Sequence, residues 1–234
     1  MYLGYGYYDP TIVLVAIGAL LTMAASMHVR ATYQRFSSQA AACGMTGADV
    51  ARTILRQNGI SDVQVQHVSG ELTDHYDPSK QVVNLSDTVY GSRSVAALGV
   101  AAHECGHVMQ HENGYVPLQI RTALVPAANF GSNAGIWIVI LSLALGLSET
   151  FTTIGIILFS LGVLFQLVTL PVEFDASHRA LIMLEQYGIL GHSENGKARA
   201  VLRAAALTYV AAAAASILQL LRLILLSKNR RRRD

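Results

Sequence analysis

Charge is scarce in this chain. Only 14% of its 234 residues are Asp, Glu, Lys or Arg, against 52% hydrophobic residues. A soluble domain carries about 25% charged residues. The deficit is concentrated in a few long runs, which points to a bilayer and not to an unusually apolar soluble core. Cysteine is nearly absent. Cys43 and Cys105 are the two in the chain, too few for a disulfide framework, and no CxxC metal knuckle exists. Cys105 reads as a small buried side chain. Net charge is +2 with histidines neutral, which excludes a nucleic-acid surface. The start lacks a basic segment and a cleavage site, so no secretory signal is expected. No internal repeat or low-complexity linker is present.

What the chain does have is apolar runs. Thr11 to Met27 is the first, closed by His28 and Arg30 and preceded by four tyrosines, Tyr2, Tyr5, Tyr7 and Tyr8, that suit an interfacial aromatic belt. Ala134 to Leu147 and Phe151 to Leu170 form a tight hairpin, with Pro171 taken as the membrane boundary. Ala204 to Leu226 is the last, with Arg222 expected to snorkel toward its end and Lys228 and Arg230 to Arg233 placed at lipid headgroups. Each is long enough to approach or span ~30 Å of hydrocarbon at ~1.5 Å per residue. The expected architecture is mainly α and integral to a membrane, with about four transmembrane helices and a small α+β, zincin-like catalytic subdomain. Its parts are an N-terminal transmembrane helix (1–30), the catalytic subdomain (31–130), a transmembrane hairpin (131–172), a connector carrying a third metal ligand (173–203), and a C-terminal transmembrane helix with its basic tail (204–234).

Within 31–130, Thr46-Gly47-Ala48-Asp49 starts a helix and Asn58-Gly59 stops it. Val63 to Val68 and Val82 to Leu85 read as two strands of a hairpin, with Asp74-His75-Tyr76-Asp77-Pro78 as a polar turn between them. Ser92 or Ser94 caps a longer helix that runs to about His111 and ends at Asn113-Gly114.

That helix holds His103-Glu104-Cys105-Gly106-His107, an H-E-x-x-H motif. Residues four apart share a helix face, so both imidazoles can reach one Zn²⁺ at ~2.0–2.1 Å. Glu104 points to the side, where it can serve as general base for a water acidified by the metal. Small apolar neighbours, Ala101, Ala102, Gly106 and Val108, argue against a solvated polar face, because a buried helix does not carry three ionisable groups without a use for them. Catalytic zinc takes a third protein ligand. His111 lies too far along the helix from His103 to close the set. A carboxylate at the bilayer edge is costly unless paired or metal-bound, which favours Glu173, with Asp175 and His178 as the main alternatives and His75 and His192 behind them.

At these residues the chain resembles the YugP-type family of membrane zinc metallopeptidases over nearly its full length. The segments that carry the resemblance are Leu72-Thr73-Asp74-His75-Tyr76-Asp77-Pro78, Ser92-Arg93-Ser94-Val95-Ala96-Ala97, Ala101 to His107, Ala123-Leu124-Val125-Pro126 and Phe165 to Phe174. More distantly it is similar to the HtpX and CAAX-prenyl-protease group, in which a glutamate on a later helix completes the zinc site. That pattern implies Glu173 here and a gluzincin-like site. The group usually has an aspartate four residues after its glutamate, where this chain has Ser177, so Asp175 serves instead or the surroundings of the ligands differ.

The expected function is zinc-dependent endopeptidase action on membrane or membrane-proximal proteins, with Glu104 as base, His103, His107 and Glu173 as ligands, and His75, Tyr76, His178 or Arg179 as oxyanion donors. The edge of the Val82–Leu85 strand is a candidate to receive substrate backbone. The alternative is a non-catalytic zinc-binding membrane scaffold. The expected partners are a peptide or membrane-protein substrate and the lipid bilayer, with a homo-oligomer or a membrane partner protein as further options. The expected location is a bacterial-type plasma membrane, crossed several times. Excluding Arg222, 11 Lys and Arg lie on the side of the motif against five in the tail, which favours a cytosolic active site.

Overall fold

The computed structural model describes residues 9–231, with side chains as far as Lys228. The tyrosines before residue 9 and the side chains of Arg230 to Arg233 lie outside the described residues. The order of elements is α1 (Ile12–Ser37), α2 (Gly47–Gln57), β1 (Gln64–His67), β2 (His75–Asp77), β3 (Val82–Leu85), α3 (Val95–Glu112), α4 (Val116–Ala144), α5 (Glu149–Gln186) and α6 (His192–Arg231). Four of these, α1, α4, α5 and α6, are long and apolar enough to cross a membrane.

The helices run further than the apolar runs that announce them. α1 continues past Arg30 to Ser37, and α4 begins at Val116, well before Ala134. α5 passes through Pro171 without a break and ends at Gln186. A proline removes one backbone donor, and a long apolar helix absorbs that loss. Hydropathy marks where a helix is apolar and is silent about where its hydrogen bonding ends. Pro171 is therefore no boundary of an element, and Glu173 sits inside a helix.

The chain divides into two units. The first comprises residues 1–24, 123–167 and 210–234. Its helices touch through small residues. A Cβ on Gly135 would lie 2.6 Å from Phe159 N, one on Gly131 would lie 2.4 Å from Leu158 O, and one on Gly18 would meet Ala215 at 3.1 Å. In lipid, helices have no hydrophobic reason to associate, and close backbone packing of this kind is what holds them there. The Ser142 and Thr152 hydroxyls meet at 2.7 Å in the α4–α5 interface. Large apolar side chains such as Leu20, Phe130, Trp137 and Ile157 are exposed on its outside, which suits a lipid environment and would be a liability in water. Arg222, expected to extend toward the end of its helix, pairs with Asp9 at 2.9 Å, and that partner satisfies the guanidinium directly.

The second unit comprises residues 25–122 and 168–209. Thr46 caps α2, with its side chain accepting from Asp49 N while Asp49 reaches back to the Thr46 backbone, a reciprocal arrangement that satisfies two orphan donors. Ser94 caps α3 by accepting from Ala97 N. The sheet has the order β1-β3-β2. β1 runs parallel to β3, with Gln64 opposite Val82 and His67 opposite Leu85. β2 runs antiparallel to β3, with His75 opposite Asn84 and Asp77 opposite Val82. This corrects the expected hairpin: the second arm is His75–Asp77, which sequence assigned to a turn, and β1 joins from the other side. All four residues of β3 are buried, as a central strand requires, so β3 offers no free edge to a substrate. Val50, Ile54, Leu85, Leu98, Val108, Leu184 and Leu190 form the core between α2, the sheet, α3 and the 168–209 segment.

Candidate metal centre

α3 and α5 approach until their backbones touch. A Cβ on Gly106 would lie 2.4 Å from Ala176 O and 3.1 Å from Ala176 Cα. Gly106 is three residues after His103 and Ala176 is three after Glu173, so this contact sits about one helical turn from each. The result is that His103 Nε2 lies 3.3 Å and His107 Nε2 3.7 Å from Glu173 Oε2. The three ligand-capable atoms fall within 4.8 Å of one another, and they form the one such group among the described residues. Glu173 is buried, and the two histidine side chains are only 15% and 13% exposed.

Hydrogen bonding decides which way the imidazoles face. Gln110 Nε2 donates to Val172 O at 2.7 Å and to Asp175 Oδ2 at 2.9 Å. Its Oε1 must therefore be the atom 3.0 Å from His107 Nδ1, and that nitrogen is the donor. The remaining nitrogen, Nε2, presents a lone pair to Glu173. Ser177 Oγ stands 3.1 Å from His103 Nδ1 and can accept its proton in the same way. Two lone pairs then face a buried carboxylate oxygen that has no hydrogen-bond partner. Such an array is repulsive without a cation at its centre. The two histidine-to-Glu173 separations are close to the roughly 3.3–3.6 Å edge of a tetrahedron built with zinc–ligand bonds of about 2.0–2.2 Å. The residues fit a zinc ion.

Glu104 is 7% exposed. Burial lifts its carboxyl above the ordinary carboxylate range, opposed by the neighbouring His103 and His107. Burial acts on His107 in the opposite sense, but Glu173, Glu104 and Gln110 outweigh it and raise its affinity for a proton. Cys105, the residue between base and ligand, is fully buried, and burial pushes its thiol up, so it is inert as expected.

A cavity of about 390 Å³ opens onto the cluster. Its polar side is made by His103, Glu104, Glu173, Asp74 and Tyr209, and its apolar side by Val29, Leu72, Val100, Leu202, Ala205 and Ala206. Asp74 is fixed there by accepting from Ser86 N and Ser86 Oγ at 2.7 and 2.9 Å.

Of the residues singled out in the sequence, the structure brings together His103, Glu104, His107 and Glu173. Asp175 stands one bond further out. It accepts from Gln110 and from Arg179 Nε at 2.6 Å, and Arg179 in turn lies over the Tyr115 ring. His75 bonds to Thr73 O and Asn84, Tyr76 packs edge-on against His111, His178 is exposed, and His192 pairs with Glu185. None of these lines the cavity. Gln110, Ser177 and Tyr209 were missed. Gln110 left a signal, being a glutamine three residues past His107 on the helix face of the two histidines, and it is fully buried. Tyr209 left one too, as the lone aromatic residue of α6.

The protein described as "Putative membrane protease YugP" from Bacillus subtilis (strain 168) is 44% identical over 220 residues, covering 94% of this chain and 97% of that protein. No solved structure matches the chain. The family described as "Putative neutral zinc metallopeptidase" matches residues 11–228, and with its metal-ready cluster and four membrane-length helices the chain belongs to that family.

Proposed function

We propose that the protein is a multi-pass membrane endopeptidase that holds one catalytic zinc on His103, His107 and Glu173 in a gluzincin-like site. The observation that carries this reading is the position of Glu104, a buried carboxylate on the wall of the same cavity as His103 and Glu173, two members of the three-residue metal-ready cluster. Bound zinc supplies a Lewis acid that acidifies water and polarises a carbonyl. Glu104 accepts the proton of the attacking water on its carboxylate and delivers it to the departing amide nitrogen. Its raised affinity for protons suits a group that must hold one between those two events. Gln110 and Ser177 keep both imidazoles turned toward the metal through their Nδ1 atoms.

A purely structural zinc site closes all four positions with protein ligands. Three protein ligand groups beside a cavity leave a position for substrate, which disfavours the scaffold reading. The apolar wall formed by Val29, Leu72, Val100, Leu202, Ala205 and Ala206 suits an apolar side chain next to the scissile bond, as the membrane-proximal part of a membrane protein provides. The test is Glu104→Gln in the full-length protein. Zinc content should stay near one per chain while cleavage of a casein-like or membrane-protein substrate falls by at least about 10²-fold. Cleavage at the wild-type rate with zinc retained would defeat the peptidase mechanism.

A further inference from the structure

Hydrolysis of an amide through a tetrahedral intermediate needs a donor aimed at the developing oxyanion. None of the four side chains that the sequence offers for this, His75, Tyr76, His178 and Arg179, lines the cavity. Their hydrogen-bonding groups are committed or turned elsewhere: His75 to Thr73 and Asn84, Arg179 to Asp175, while the Tyr76 hydroxyl is buried away from the cavity. The donor has to come from another residue.

Apart from the ligand His103, the cavity wall carries four side chains with a hydrogen to give: Ser26, Ser177, Thr208 and Tyr209. Ser177 Oγ is held at His103 Nδ1, on the other edge of that imidazole from the Nε2 that faces Glu173. Thr208 Oγ1 donates to Ala205 O at 2.6 Å, back into its own helix. Ser26 is exposed on α1. Tyr209 lines the same cavity as the base Glu104 and the ligand Glu173, and its phenol hydrogen-bonds with Glu173. It is also an anomaly of composition. α6 between Ala204 and Ala215 is almost entirely small and apolar, and a phenol there is costly to bury unless its hydroxyl has a partner.

We infer that Tyr209 is the oxyanion donor of this site, its phenolic O–H giving a hydrogen bond, without proton transfer, to the carbonyl oxygen of the scissile peptide as negative charge develops on it. The inference rests on the peptidase reading above. In the resting enzyme the O–H is held toward Glu173. When substrate enters, the stronger acceptor draws it. A phenol suits this task in an apolar cavity, because it is rigid, stays protonated at neutral pH, and acts where little water competes.

The experiment uses the full-length protein in detergent and the variant Tyr209→Phe, which keeps the ring and its packing. Four quantities are read: zinc per chain, kcat and KM on a peptide substrate, and the affinity of a phosphinic peptide whose tetrahedral oxygens mimic the intermediate. The variant should keep its zinc, hold KM within about 2-fold and lose kcat by about 10²–10³-fold, the usual effect of deleting one oxyanion donor. Phosphinate affinity should fall together with kcat/KM. Loss of zinc in Tyr209→Phe would make Tyr209 a support of Glu173 and overturn the assignment. So would unchanged kcat with unchanged phosphinate affinity, and in that case wild-type cleavage would leave the peptidase reading standing. A wild-type protein that loads zinc but neither cleaves nor binds the phosphinate would bring down the peptidase reading, and the Tyr209 assignment with it.

Discussion

Gln110 links the metal cluster to a longer chain of contacts. His107 donates to its oxygen, and its amide nitrogen donates to Val172 O and to Asp175, which also holds Arg179. The two imidazoles are therefore oriented by an amide and a hydroxyl, not by carboxylates. Ser177 Oγ stands beside His103 Nδ1 and can accept its proton without bringing a charge to the site. These contacts rank the losses on mutation. Glu173→Ala removes a ligand and should weaken zinc binding by orders of magnitude, as chelator competition on the purified protein will show. Gln110→Ala frees His107 to rotate and should cost the 10–100-fold typical of a group that orients a ligand. Asp175→Ala should cost less than Gln110→Ala, because it acts through Gln110, whose bond to Val172 O survives. If Asp175→Ala proves as damaging as Glu173→Ala, the carboxylates have been assigned the wrong way round.

The site depends on how closely α3 and α5 approach. Gly106 has no side chain in the 2.4 Å that separates its Cβ position from Ala176 O, and backbone atoms on both sides leave nothing flexible to yield. Gly106→Ala should push the helices apart, destabilise the protein by about 1–3 kcal/mol as overpacking does, and weaken zinc binding, since His103 and Glu173 sit on either side of the contact. A variant with wild-type zinc affinity and melting temperature would show that the contact is slack. The β2–β3 turn gives a pH-dependent case. Asp77 Oδ1 accepts from Ser79 N, Ser79 Oγ and Lys80 N, and those bonds, Ser79 foremost, with Lys80 hold its pKa at about 2 against an ordinary 3.8. The folded-state value is the lower one, so the stabilisation is complete above the ordinary value and is lost as pH falls through the folded one. The melting difference between wild type and Asp77→Ala should accordingly be constant near neutrality and shrink as pH drops from 3.8 toward about 2. A difference that stays constant down to pH ~2 would assign the effect to something other than ionisation. This turn also shows where sequence reading stopped. The caps of α2 and α3 and the strand β3 were legible, because Thr46, Asp49 and Ser94 act on neighbours a few residues away and β3 is one buried run. β2 was not legible, since three residues between an aspartate and a proline look like a turn until β3 pairs with them. The partners of Gln110 and Ser177 were hidden for the same reason: they lie on helices 65 and 74 positions away in the chain.

Four membrane-length helices were readable from composition alone, because an uncharged apolar stretch of about 20 residues has few other uses. Their true lengths were not, and the difference bears on orientation. α6 spans 40 residues and α5 38, twice what a bilayer core requires at ~1.5 Å per residue, so each carries a polar continuation beyond its apolar window. The continuations of α5 and α6 that belong to the second unit carry Arg179, Lys197, Arg199 and Arg203. With α1 and the 31–122 segment, they bring the Lys and Arg on the side of the site to 11 against five in the tail. Basic residues near span ends are retained on the cytosolic face. The tail cluster pulls the other way, but it is the smaller count. The site should therefore face the cytosol. Lys80 offers the place to measure it, as its side chain is 78% exposed on the turn beside Asp77. A Lys80→Cys variant, with Cys43 and Cys105 replaced by alanine, should resist an impermeant maleimide in intact cells and react once the membrane is permeabilised. Cys105 is small and fully buried, so alanine fits its place without a large void. Equal labelling before and after permeabilisation would turn the protein over, placing His103, His107 and Glu173 on the outer face and making the tail arginines the cytosolic anchor.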